Sequence, residues 1–156
     1  MKLNEEQWKL FVKNNPIYAI DIVVFSHERG VLLGKRINDP AKGKYFVPGG
    51  RVFKDENREN AFNRICKEEI NIDLNFKKSS LIGIYEHFYN NSKWTEEIFS
   101  THYIVEARLI KINPKLENDI NIDNQHSKRL WLKNYFQNQS EIHSYCKPYF
   151  QYLNLK

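Results

Sequence analysis

Residues 49–72 read GGRVFKDENRENAFNRICKEEINI, and this stretch decides the fold. Two glycines end a predicted strand, a polar loop follows, and then the apolar residues recur at helical spacing. The stripe they form is Ala61, Phe62, Ile65, Cys66 and Ile70. Asn71 follows the last of them and suits the left-handed position at which helices end. The stretch therefore predicts a strand, a loop and an amphipathic helix.

The predicted helix carries acidic residues at positions that suit a metal site. Glu68 lies four residues after Arg64, so the two share a face and are expected to pair. Glu69 lies four residues after Ile65, at the edge of the apolar stripe, and is expected to face a cleft. Mg²⁺ takes oxygen ligands, and a glycine lets a backbone carbonyl approach a metal closely. The alternative is an ordinary amphipathic helix with solvated acids.

The complete pattern resembles the Nudix box, G-x5-E-x7-R-E-U-x-E-E-x-G-U, where U is a bulky aliphatic residue. The matching positions are Gly50, Glu56, Arg64, Glu68, Glu69 and Ile72. Two positions depart from it: Ile65 replaces the first glutamate after the arginine, and Asn71 replaces the closing glycine. The resemblance implies an α/β fold, the Nudix α/β/α sandwich with a mixed sheet, as one domain over residues 1–156.

Further segments resemble one branch of that superfamily, the GDP-mannose mannosyl hydrolases. They are PGGRV, LLGKR, EHFY, THYIV and the NQH–RLW region. Members of this branch attack the sugar carbon and release GDP and free sugar with inversion, and their box lacks the first glutamate, as here at Ile65. The resemblance also implies a homodimer and a Mg²⁺ cofactor, with Mn²⁺ as a substitute.

The same resemblance assigns the site residues. It implies that the metal is held by the carbonyl of Gly50, the carboxylate of Glu69 and the amide oxygen of Gln125. His126 matches the general base, and Arg36 matches the arginine on the leaving diphosphate. The residues that hold substrate or stabilise charge are matched by Asp21, Arg51, His87 and Tyr103. Glu68 leaves the number of metal ions open, and its preferred role is the pair with Arg64.

Several of these residues also have structural readings. Asp21 interrupts the apolar run IYAIDIVVF at 17–25, which predicts a central buried strand. The structural interpretation of Asp21 is an ion pair with a nearby arginine or lysine. The functional interpretation is an acceptor for a ligand hydroxyl, or an anchor for a ligand-binding arginine. A lone strand histidine such as His87 is more often structural than catalytic. Arg36 and Arg51 are expected to contact phosphate, because guanidinium bridges two phosphate oxygens.

The rest of the chain predicts an ordinary alternation of elements. A short helix is expected over residues 4–14, capped by Asn4 and Gln7, with an apolar face that packs on the core or on a second subunit. The other expected elements are strands at 31–35, 44–47, 81–89, 98–110 and 130–132, polar loops at 90–97 and 113–127, and helices at 134–138 and 141–153, the last bent or broken at Pro148.

Composition narrows the class of protein. The chain has 156 residues and a net charge of +5, which suits an anionic partner such as a nucleotide. No run of five basic residues occurs, so a nucleic-acid tail is not expected. Two distant cysteines, no signal peptide and no long apolar run indicate a soluble cytoplasmic protein without a membrane partner.

Three functions remain in competition. The first is Mg²⁺-dependent hydrolysis of a GDP-sugar to GDP and sugar. The second is a Nudix pyrophosphatase that cuts the diphosphate of a nucleotide sugar or nucleoside triphosphate, which Ile65 disfavours because the usual second carboxylate is missing. The third is a non-catalytic module that binds nucleotide sugar or nucleic acid, which Gln125 and His126 argue against.

Overall fold

The computed structural model describes residues 3–120 and 126–155, without the side chains of residues 126 and 127. Its helices and strands follow in chain order. They are α1 (Glu5–Asn14), β1 (Ile17–Ser26), β2 (Gly30–Arg36), β3 (Tyr45–Phe46), β4 (Gly49–Arg51), α2 (Arg58–Ile70), β5 (Ser80–Tyr89), β6 (Thr101–Lys111), β7 (His126–Leu132) and α3 (Lys147–Tyr152).

The strands form one mixed sheet, as the sequence predicted. Its main order is β3-β2-β1-β6-β5, while β4 pairs with β1 and β7 pairs with β2. Strands β1 and β6 are parallel, from Ile17 opposite Tyr103 to Phe25 opposite Lys111. The other pairs are antiparallel. Strand β1 therefore lies in the centre of the sheet, and its N-terminal half pairs with β4 on one side and β6 on the other, while β2 pairs at its C-terminal end.

The two faces of the sheet are covered by different helices. Successive side chains of a strand point to opposite faces, and in β1 Ile20 and Ile22 pack with α2 in one core cluster. Val23 points the other way and packs with Tyr149 and Phe150 of α3 in a second cluster. The layers are thus helix, sheet and helix, which confirms the predicted α/β class.

Helix α2 forms as its sequence predicted. The side chain of Asn57 accepts a hydrogen bond from the backbone N–H of Asn60 at 2.8 Å and caps the first turn. Asn71 ends the helix in the left-handed region, at φ 56° and ψ 31°. The predicted apolar stripe is entirely buried, which docks the helix on the sheet and fixes where its carboxylates lie.

Several predicted boundaries were wrong. The glycines 49 and 50 begin β4, paired with β1, rather than end a strand. Strand β6 begins at residue 101, not 98, and β7 begins at His126, which the sequence had placed in a loop. The helix expected over 141–153 is a 3₁₀ turn (Ser144–Cys146) followed by α3. Pro148 lies in the first turn of α3, where its missing N–H costs nothing, so it does not break the helix.

Helix α1 has the predicted capping box between Asn4 and Gln7. Its Val12 is buried against Ile17 and Trp94, which favours the core reading of its apolar face, although Phe11 stays 36% exposed. Both cysteines are buried free thiols. Across the described residues, none of the helices has the length and apolar character needed to cross a membrane.

Candidate active site

A cleft of about 810 Å³ opens between β4, α2 and the N-terminal ends of β1 and β6, with α1 and the 93–95 segment at its mouth. Its volume suits a ligand of nucleotide-sugar size. Seven of the nine predicted site residues line it: Asp21, Arg36, Gly50, Arg51, Glu69, His87 and Tyr103. Gln125 lies outside the described residues. The backbone of His126 is described, and its Cα is paired with that of Arg36 across β2 and β7.

Gly50 and Glu69 line the same cleft, and α2 packs tightly on β4 there. A Cβ at Gly50 would come within 3.1 Å of Ile65 Cγ1, so the helix approaches the strand as closely as a glycine allows. Glu69 is only 7% exposed and lines the same cleft as Gly50. No cluster of three His, Cys, Asp or Glu side chains suited to a metal occurs among the described residues.

This donor set fits Mg²⁺. The ion is usually bound by one or two carboxylates together with substrate phosphates, and it keeps several waters. A buried carboxylate and a backbone carbonyl in the same cleft match that preference, whereas a zinc site would need several nitrogen or sulfur ligands. The residues that would hold the ion are therefore Glu69 and Gly50, with Gln125 as the third predicted ligand.

Arg64 connects the helix to the loop that precedes it. Its Nε donates to Glu56 Oε1 at 2.7 Å and its Nη2 donates to Glu56 Oε2 at 2.9 Å. Its Nη1 donates to Glu68 Oε2 at 2.9 Å, which confirms the predicted pair, and its Nη2 also donates to the carbonyl of Arg51 at 2.9 Å. Two-point pairing of this kind fixes geometry as well as charge. The pair lowers the pKa of Glu56 and raises that of Arg64.

The role of Glu56 was missed from the sequence. Glu56 also accepts from the backbone N–H of Phe53 at 3.0 Å, so it holds the 53–56 turn against Arg64. The sequence marked Glu56 as a box residue but offered no partner for it. Glu56 lies in the loop eight residues before Arg64, so the spacing of a helix does not predict that the two pair.

The two predicted phosphate-binding arginines are held in different ways. The guanidinium of Arg51 lies 4.0 Å from the ring centroid of Trp8 and 4.9 Å from that of Phe53, between two aromatic faces. Burial lowers its pKa, and so does the charge of Arg64. Arg36 Nε donates to the carbonyl of Pro40 at 2.8 Å, which fixes one edge of its guanidinium. Both arginines line the cleft.

Asp21 lines the cleft and is buried, 7% exposed. Its Oδ2 accepts a hydrogen bond from the hydroxyl of Tyr149 at 2.7 Å. Burial raises the pKa of Asp21 to about 7, against the opposing effects of the Tyr149 bond and the charge of Arg36. Among the described residues no lysine or arginine lies within ion-pair distance of it, so the structural ion pair is not found there. The role of ligand acceptor or arginine anchor remains.

His87 and Tyr103 lie opposite each other on β5 and β6. His87 is 3% exposed and stacks on Tyr145, with ring centroids 4.2 Å apart and planes 2° from parallel. Burial lowers the pKa of His87 to about 4, and the neighbouring His143 adds to this effect. Burial raises the pKa of Tyr103. Both side chains are therefore neutral near pH 7 and face the cleft as hydrogen-bonding groups.

The mouth of the cleft is more ordered than its polar sequence suggested. Trp94, in the predicted polar loop, is 8% exposed, and its Nε1 donates to Glu5 Oε1 at 2.7 Å. Lys93 pairs with Glu5 at 2.9 Å, and Lys9 of α1 pairs with Glu97 at 2.6 Å. These contacts join α1 to the 93–97 segment as one wall of the cleft.

Comparisons with known proteins agree with this architecture. The NUDIX domain model matches residues 16–133. The low-salt glycan biosynthesis protein Agl8 of Haloferax volcanii is 36% identical over 153 residues, which cover 98% of this chain and 92% of that protein.

Two solved structures share the fold. One is the MutT protein from Methanosarcina mazei Go1, at a TM-score of 0.67 and 17% identity over 90% of this chain and 95% of that one. The other is a bifunctional NMN adenylyltransferase/ADP ribose pyrophosphatase from Francisella tularensis, complexed with AMP and a Mn ion. It has a TM-score of 0.68 and 20% identity over 96% of this chain and 45% of that one. The family match over residues 16–133, with the box residues Gly50, Arg64, Glu68 and Glu69 in the cleft, shows that the chain belongs to the NUDIX domain family of hydrolases.

Proposed function

We propose that this Nudix hydrolase cleaves GDP-mannose, or a related GDP-hexose, to GDP and free sugar in a Mg²⁺-dependent reaction. Water attacks the anomeric carbon of the sugar, with inversion of configuration. The observation that carries this proposal is Ile65, which is 1% exposed and packs against Gly50 where the Nudix box has a glutamate. A carboxylate is thereby removed from the metal-binding face of α2.

The cation requirement follows from the leaving group. Glu69 and the carbonyl of Gly50 would hold Mg²⁺ with Gln125, and the bound ion would neutralise charge on the diphosphate. Glu68 is 52% exposed at its side chain and bound to Arg64, so it is engaged in a structural pair. Glu69 is the buried carboxylate of α2, which supports a single ion as the working number.

The arginines of the cleft suit the departing diphosphate. Arg36 is fixed by its bond to the Pro40 carbonyl, and Arg51 is held between two rings. A guanidinium presents paired N–H groups to phosphate oxygens. GDP is then a good leaving group without a carboxylic general acid, because its developing charge is met by fixed cations.

Asp21, His87 and Tyr103 form the wall that we assign to the sugar. They are neutral or nearly half protonated at pH 7, since the pKa of Asp21 is about 7 and that of His87 about 4. Such groups exchange hydrogen bonds with hydroxyls and oppose an oxocarbenium-like transition state less than a cation would. The sugar would therefore lie deeper in the cleft than the diphosphate.

His126 is assigned as the general base. A pKa of about 4 makes His87 a weak base, and it is rigidly stacked, which disfavours the rival histidine. The backbone pairing of His126 with Arg36 supports its nearness to the leaving diphosphate. Gln125, the residue before it, is the third assigned metal ligand.

The competing reaction is attack on phosphorus by a Nudix pyrophosphatase, and the ADP ribose pyrophosphatase named among the fold relatives favours keeping it in the test. Incubation with GDP-mannose and Mg²⁺, followed by chromatography, separates the possibilities. GDP and mannose support the proposal, whereas GMP and mannose 1-phosphate support the pyrophosphatase. No turnover supports a binding module. Glu69→Gln, purified in the same way, controls for a contaminating hydrolase.

We also propose, from the family resemblance alone, that the chain acts as one cytoplasmic domain and as a homodimer. Sedimentation of the purified chain measures its oligomeric state directly. A mass of about 37 kDa, twice the 18.7 kDa of the chain, is expected for the dimer. A species of single-chain mass at micromolar concentration would contradict it.

A further inference from the structure

Tyr149 is the contact of Asp21 that the sequence analysis did not anticipate. Its side chain is fully buried on α3, and its hydroxyl donates to Asp21 Oδ2 at 2.7 Å. Its ring meets that of Tyr85 edge-on, with centroids 5.5 Å apart. The hydroxyl therefore has a fixed position behind the cleft, reached from a helix 128 residues away along the chain.

The other oxygen of Asp21 lies on the side of β4. A Cβ placed on Gly49 would come within 2.7 Å of Asp21 Oδ1, so this oxygen occupies the space that a side chain at position 49 would need. Both residues line the cleft. The two oxygens of Asp21 thus have different surroundings: Oδ2 is bonded to Tyr149, and Oδ1 lies beside the glycine strand.

The bond to Tyr149 determines how the carboxyl group is oriented. The terminal torsion of an aspartate is broad, so packing alone defines it poorly. A hydroxyl that donates to a carboxylate is a strong, directional restraint in a buried site. Among the described residues no cation lies within ion-pair distance of Asp21, so the hydrogen bond from Tyr149 is the side-chain contact that orients its carboxyl group.

We infer that Tyr149 is a positioning residue, which holds Asp21 so that Oδ1 accepts a hydrogen bond from a hydroxyl of the bound sugar. The inference rests on the proposed function in one respect, the placing of the sugar beside Asp21. It does not depend on which bond is cleaved. Tyr149 itself touches the carboxylate and not the substrate.

The test compares binding of GDP-mannose and GDP by calorimetry, in a metal chelator to prevent turnover. We expect Tyr149→Phe to weaken GDP-mannose binding by about fivefold to tenfold relative to GDP, the range for loss of one well-placed hydrogen bond. Asp21→Asn should show a similar selective loss. The double variant should lose little more than either single variant, because both act on one contact.

Tyr135→Phe is the matched control, since it removes a hydroxyl from another buried tyrosine of the same core cluster. It should leave both affinities unchanged. Equal weakening of GDP and GDP-mannose in Tyr149→Phe, no change in either, or additive losses in the double variant would each overturn the inference. Cleavage of the diphosphate instead of the sugar bond would refute the proposed function. The two affinities would still test whether Tyr149 positions Asp21.

A crystal structure of the unmodified chain with GDP-mannose, without metal, covers the case in which Tyr149→Phe does not fold. It should show Asp21 Oδ1 within hydrogen-bond distance of a sugar hydroxyl while Oδ2 keeps its bond to Tyr149. A sugar that bonds neither oxygen of Asp21 would contradict the inference.

Discussion

Replacing Asp21 with asparagine removes a buried acid, and we expect the variant to gain stability over the parent as the pH rises. Burial raises the pKa of this carboxyl from 3.8 to about 7. The folded chain then holds a proton that the unfolded chain releases at lower pH. The free energy of unfolding of the parent therefore falls as pH rises from about 4 to about 7, and is steady above that. Asparagine does not titrate and lacks this dependence.

The size of the effect follows from the pKa. One pKa unit corresponds to about 1.4 kcal/mol, so the rise to about 7 corresponds to about 4 kcal/mol. The free energy of unfolding of Asp21→Asn minus that of the parent should thus increase by about 2–4 kcal/mol between pH 4 and pH 8. A constant offset from the new amide N–H groups does not alter this increase.

Urea unfolding of both proteins at several pH values measures that difference. Asp73→Asn is the control, because its side chain is 85% exposed and pairs only loosely with Lys67, at 3.5 Å. It should show almost no dependence on pH relative to the parent. A difference for Asp21→Asn that stays constant from pH 4 to pH 8 would refute the view that this carboxyl is destabilised by burial.

Three further predictions concern catalysis. Glu69→Gln should weaken Mn²⁺ binding, measured by electron paramagnetic resonance, and lower turnover by orders of magnitude, because a bound dication contributes several kcal/mol; Glu68→Gln should do much less, and equal losses would make the metal assignment wrong. Arg36→Lys should be impaired in a steady-state assay although it keeps the positive charge, since a lysine cannot keep both the Pro40 bond and a two-point phosphate contact. A near-normal kcat would mean that Arg36 contributes only its positive charge. His126→Gln should lose about 10² to 10⁴ in kcat, keep GDP binding and lose the acidic limb of the pH–rate profile; a limb that survives there and vanishes in His87→Gln would identify the other histidine as the base.

The elements that could be predicted from sequence are those with a local signature. The stripe of α2 and its pair of Arg64 with Glu68 depend on residues three or four apart, so the helical repeat predicts them. The left-handed Asn71 and the capping box of α1 follow from preferences of single residues. The buried strand β1 follows from an apolar run on both faces.

The parts that were missed depend on the path of the chain in space. The bonds from Tyr149 to Asp21 and from Arg64 to Glu56 join residues that no repeat relates. They exist only because the folded chain brings these residues together. The loop predicted over 90–97 is confirmed, but the burial of its Trp94 was missed, because the contact with Glu5 of α1 spans 89 residues of sequence. Pairing of β7 with β2, rather than local propensity, extends the strand back to His126.

The site residues divide in the same way. Their identity came from a family resemblance, and the cleft brings seven of the nine together. Their electrostatic state could not be obtained from the sequence, because it depends on burial. Burial lowers the pKa of the strand histidine His87 to about 4, and burial raises that of Asp21 to about 7 against the opposing effects of Tyr149 and Arg36.

The central claim is that water attacks carbon rather than phosphorus, and hydrolysis of GDP-mannose in H₂¹⁸O tests it most directly. Mass spectrometry of the GDP released is the readout, since the anomeric oxygen of free mannose exchanges with water. Attack on the anomeric carbon leaves both bridging and terminal oxygens of the diphosphate unchanged, so we predict GDP without ¹⁸O. GDP that carries one ¹⁸O, or labelled GMP or mannose 1-phosphate, would contradict the proposed mechanism.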